Sequence, residues 1–121
     1  MLVHTALDRV AQIARMWARS DCPVVIHVDA AVPDTDFAAL RHGLADAPQV
    51  SFSARHRCDW GSWELVAATQ DACHDMLRLH PDLSHVYLTS GSCLPLRPAQ
   101  DLITYLDQFR DTDFIESVTT R

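Results

Sequence analysis

Apolar residues in this chain change period again and again, and that alternation leaves few folds open. Leu7, Val10, Ala14 and Trp17 recur at steps of three and four, the spacing of one helix face. Val24-Val25-Ile26-His27-Val28 is instead an unbroken, mostly β-branched run, the pattern of a strand covered on both sides. Helical spacing returns with Phe37, Leu40 and Leu44, and Val50-Ser51-Phe52 alternates as a short strand. A longer helix follows through Leu65, Thr69, Ala72, Cys73 and Met76, then a strand at His85-Val86-Tyr87-Leu88-Thr89. Leu102, Leu106 and Phe109 mark one more helix, and Asp113 to Val118 a last strand. With Met1 to His4 as a first strand stub, the order predicts an α/β, Rossmann-like domain. Its sheet is expected to be mostly parallel, with helices on both faces and right-handed crossovers.

Local signals punctuate these elements. Thr5 and Asp8 have capping-box spacing, the short polar side chains of Asp34-Thr35-Asp36 suit a helix start, and Ser62 is placed to cap the longest helix. Pro23, Pro48 and Pro81 separate elements, while Pro98 suits a first helical turn. No Gly- or Pro-rich linker divides the 121 residues, so a single domain over 1–121 is expected.

Composition then removes whole classes of function. All ten basic residues are Arg, against sixteen acids, and the formal charge of −6 disfavours a nucleic-acid surface. The absence of Lys also fits a GC-rich bacterial genome, a codon argument. No apolar run approaches the roughly 18 residues of a membrane span, and no secretory signal pattern opens the sequence, so a cytoplasmic chain is expected. Cys22, Cys58, Cys73 and Cys93 contain no C-x-x-C pair and read as reduced thiols. His56, Cys58, Cys73 and His74 fit no standard zinc spacing.

In an open parallel sheet, ligands bind beyond the carboxyl ends of the strands. The residues expected there are His4, Asp29, the loop 53–60, Ser90-Gly91-Ser92 and Glu116. Neither a dinucleotide fingerprint nor a P-loop is present, and without G-x-S-x-G, Ser90 and Ser92 read as turn residues. Asp29 ends a strand, where a carboxylate accepts hydrogen bonds from a base or ribose. The triplets Asp34-Thr35-Asp36 and Asp111-Thr112-Asp113 have the spacing that holds a divalent ion in some sugar-nucleotide enzymes. The first opens a helix, however, and the second precedes a strand at its amino end, so no metal is expected.

Four segments in order then form a recognisable set: Val25 to Asp29, Trp60-Gly61-Ser62-Trp63-Glu64-Leu65-Val66-x-Ala68, Tyr87 to Arg97, and Phe114-Ile115-Glu116. Together they resemble the core-2/I-branching β-1,6-N-acetylglucosaminyltransferase family, which includes peptide O-xylosyltransferases. The resemblance implies the nucleotide-binding half of a GT-A glycosyltransferase fold and inverting, metal-independent transfer from a UDP-sugar to a glycan or other hydroxyl acceptor. It places Leu2, Asp29, Cys58, Asp59 and Trp60 around the donor nucleotide and Glu116 on the acceptor side. It also implies a catalytic base beyond residue 121, so that residues 1–121 alone are expected to be inactive. Many relatives carry Asp where this chain has Cys93. The alternative is a non-catalytic sugar- or nucleotide-sugar-binding module with the same fold.

Overall fold

The computed structural model describes residues 1–115. Its elements run β1 (Leu2–Val3), α1 (Leu7–Ala18), β2 (Val24–Val28), α2 (Asp34–Gly43), β3 (Val50–Phe52), α3 (Trp63–Leu79) and α4 (Ala99–Leu106), with a 3-10 turn at Asp107–Phe109. The sheet is parallel in the order β1-β2-β3, with Leu2 beside His27 and Val24 beside Val50. Beyond β1, Ser90 forms a parallel bridge with Leu2, so the spatial order across the sheet is β3-β2-β1 and then the 85–90 segment. Strand order reverses between β1 and that segment, as in a Rossmann half.

Alternation along β2 sorts its side chains onto two layers. Val24, Ile26 and Val28 share one core with Val10, Ile13, Ala14 and Trp17 of α1 and Leu40 of α2. Val25 and His27 face the other way, where α3 buries Ala68 and Ala72. Each buried Val, Ile or Leu contributes roughly 1.5–3 kcal/mol, whereas a solvent-screened ion pair such as Arg15–Asp46 adds little. The two-sided cover of β2 therefore holds the fold together. Among the described residues no helix is long and apolar enough to cross a membrane.

Several local expectations are corrected. Thr5 does not cap α1; Ala6 holds that position in the left-handed region at φ 52°, because the chain must reverse sharply on leaving β1. Ser62 sits at the N-cap of α3 but makes no capping bond, and α2 likewise has no side-chain cap. The strand expected at 85–89 contracts to the Ser90 bridge. With only two residues, β1 directs the Met1 and Val3 carbonyls toward β2. The Leu2 amide and carbonyl alone face outward, to Thr89 and Gly91, each at 2.9 Å. Asp113, Phe114 and Ile115 are not in a strand; the rest of that expected element lies outside the described residues. Leu65 and Phe109, on the apolar stripes of their expected helices, are exposed, with Phe109 meeting the rings of Tyr105 and Phe114.

Gly91 lies tight against this sheet edge. A Cβ there would come within 2.8 Å of Val10 Cγ2 and 2.9 Å of Val3 Cγ2, and both valines are stiff and buried. Gly91→Ala is expected to destabilise the fold by roughly 1–3 kcal/mol through overpacking. A urea midpoint unchanged from wild type would refute the close approach.

Candidate functional site

The carboxyl edge of the sheet is organised by Asp29, which is 7% exposed. Its Oδ1 accepts the Ala31 amide at 2.7 Å and its Oδ2 accepts the Cys58 amide at 3.1 Å. The carboxylate thus ties the end of β2 to the loop between β3 and α3. One lone-pair direction on each oxygen is left over for a ligand. Because β1 and β2 are in parallel register, Leu2 lies two residues below this edge, with the Asp29 amide bonded to the Val3 carbonyl at 2.7 Å.

The structure therefore brings Asp29 and Cys58 together directly. The Cys58 thiol contacts the carbonyls of His56 and Glu64, and burial, then the nearby carboxylate of Asp29, pushes its pKa up, which leaves it an inert wall atom. Asp59 is exposed and its carbonyl accepts the Ser62 amide, closing the turn before α3. Trp60 is 100% exposed at that turn and belongs to no core; Gly61 beside it has φ 76°. Glu116 lies outside the described residues.

Three groups at this edge escaped sequence reasoning. Arg55, in what reads as a solvated loop, folds back over the β2–α2 turn. It donates to the carbonyls of Val28 (3.3 Å), Asp29 (2.9 Å) and Val32, pairs with Asp34 at 2.6 Å, and stacks 4.6 Å from the Phe37 ring centroid. His27, the one polar side chain inside β2, accepts the His56 amide on Nε2 at 2.9 Å. His56 in turn meets Asp71 of α3 at 2.7 Å. The sequence signals were the isolated histidine in an apolar run and the placement of the loop 53–60 at the ligand edge; neither gave the partners of Arg55, His27 or His56.

A larger hollow of about 620 Å³ opens between the starts of α1 and α2, lined by His4, Ala6, Asp8, Val32 and Asp36 among others. Asp8 and Asp36 line it from those first turns and offset the positive helix ends, which disfavours an anionic ligand there. The ledge formed by Asp29 and residues 58–60 instead presents a fixed carboxylate beside the exposed Trp60 ring. At the far side of the edge, Ser90 and Cys93 approach to 3.1 Å. Hydrogen bonds from Ser90, and then from Thr89, hold the exposed Cys93 thiol below its usual range. Among the described residues no cluster of three His, Cys, Asp or Glu side chains is arranged to hold a metal ion.

No curated protein matches the chain. The sequence model of the core-2/I-branching enzymes matches it over residues 1–121, its whole length. With the parallel sheet, the Asp29 strand end and the tethered 53–62 loop in place, the chain belongs to the core-2/I-branching enzyme family of glycosyltransferases.

Proposed function

We propose that this chain supplies the nucleotide-binding part of an inverting glycosyltransferase that moves a sugar, GlcNAc or xylose, from a UDP-sugar to a hydroxyl of a glycan or related acceptor. The observation that carries the reading is the buried Asp29 carboxylate fixed between two backbone amides at the carboxyl edge. Held rigidly, it presents its remaining lone pairs to a nucleoside without further ordering cost. Trp60, exposed on the same loop, offers an aromatic face to a planar ring or sugar. Glu116 takes the acceptor side, orienting the attacking hydroxyl, while the general base belongs to another carboxylate beyond residue 121. Diphosphate charge is met by basic side chains, with no metal ion.

Calorimetric titration of the full native protein with UDP tests this. Binding is expected with or without EDTA, and Trp60→Ala is expected to weaken it by about 1–3 kcal/mol, the range for lost stacking on a base. Absence of UDP binding, or binding that EDTA abolishes and manganese restores, would overturn the reading.

A further inference from the structure

We propose that His27 is a positioning residue for the loop 56–60: its neutral imidazole holds that loop by accepting the His56 amide, and its protonation releases the loop and weakens nucleotide binding. The proposal rests on the nucleotide reading above for its second half only.

His27 is 2% exposed in a strand whose other side chains are all apolar. A polar group placed there is costly unless it is hydrogen-bonded, and the partner fixes its state. An amide N–H only donates, so the Nε2 that receives it at 2.9 Å carries no proton, and the imidazole is neutral with its proton on Nδ1. Protonation would set an N–H against an N–H and break the contact. Three other ties surround the same point: the Ala30 amide to the His56 carbonyl at 2.9 Å, the Cys58 amide to Asp29, and His56 to Asp71. The loop that carries Cys58, Asp59 and Trp60 is thus anchored at His56, directly under the proposed site.

The charged groups around His27 set the direction. The α-amino group of Met1 lies just before β1, Asp29 just after β2, Arg55 and His56 come from the loop, and Asp71 of α3 reaches the group through His56. Burial is the largest influence, followed by the positive field of His56, and together they hold His27 below its ordinary 6.5. A histidine with a lowered folded-state pKa contributes its full stability above 6.5 and loses it progressively as pH falls toward the lowered value. The 2.7 Å contact of His56 Nε2 with Asp71 ties the same loop to α3 through the His56 ring, separately from the backbone amide that His27 accepts. The Met1 amine, lowered by burial to about 6, titrates in the same window and must be separated from His27.

His27→Gln makes that separation, because the Gln carbonyl oxygen replaces the Nε2 acceptor and does not titrate. Two quantities are measured between pH 7.5 and 5: UDP affinity of the full protein, and hydrogen exchange of the His56 and Cys58 amides relative to their intrinsic rates. In wild type, UDP affinity is expected to fall by up to about tenfold per pH unit once His27 titrates, with loss of His56 amide protection. In His27→Gln both slopes are expected to flatten, with neutral-pH affinity within about threefold of wild type. Equal slopes in the two proteins would assign the effect to a group other than His27 and overturn the proposal. Wild-type protection that persists to pH 5 would also overturn it, and this arm stands even if His27→Gln fails to fold. If UDP binds at no pH, the nucleotide reading fails, while the exchange data still decide whether His27 holds the loop.

Discussion

Arg55→Ala is expected to cost about 3–5 kcal/mol of folding stability, read as a drop in the urea midpoint. The guanidinium is 15% exposed on its side chain and bridges three carbonyls of the β2–α2 turn to Asp34 while covering the Phe37 ring. Hydrogen bonds to a charged group are worth about 1.5–3 kcal/mol each, and water recovers part of that loss at the exposed Asp34 end, so the net is well below the sum. Arg55→Lys is expected to restore less than half, because an ammonium cannot span the fork of the Asp29 and Val32 carbonyls or stack flat on Phe37. A loss below 1 kcal/mol for Arg55→Ala, or full rescue by Lys, would show that the turn holds itself.

Asp29→Ala is expected to lower stability by about 2–4 kcal/mol and to abolish measurable UDP binding. Two backbone amides, Ala31 and Cys58, lose charge-assisted acceptors in a nearly water-free position, and each orphaned donor costs about 1–3 kcal/mol. Asp29→Asn separates folding from binding. Its amide retains one acceptor oxygen, so one anchor survives and the other faces a donor. About half the stability loss is then expected, together with weakened UDP affinity in calorimetry. If Asp29→Ala binds UDP as wild type does, the nucleotide lies elsewhere on the edge; if its urea midpoint is unchanged, the carboxylate is not the tether described.

The first prediction could not have come from the sequence, and the second only in part. Asp29 is legible as the polar residue that ends an apolar strand, so its place at the ligand edge follows from periodicity. That its carboxylate is engaged by the Cys58 amide, 29 residues away, does not. Arg55 reads as one more charge in a polar loop, and nothing local distinguishes it from Arg57, which is exposed. Trp60 shows the same limit, since an aromatic residue beside Gly61 fits a core or a surface equally well until its surroundings are fixed.

What the chain carries in one dimension was readable: α1, α2, α3 and α4, the strands β2 and β3, and the parallel α/β class. Those depend on apolar period and on proline placement, which are local properties of consecutive residues. Tertiary structure alone decided the rest: the start of α1 at Ala6, the single bridge that stands for the 85–89 strand, and the partners of His27, Arg55 and Asp29. In each case the energy comes from groups that folding brings together across tens of residues. A two-residue β1 sets how much of its neighbour can pair, and a buried amide selects the tautomer of His27. Spacing along the chain holds no record of such partners, because hydrogen bonds of this kind depend on distance and direction in space.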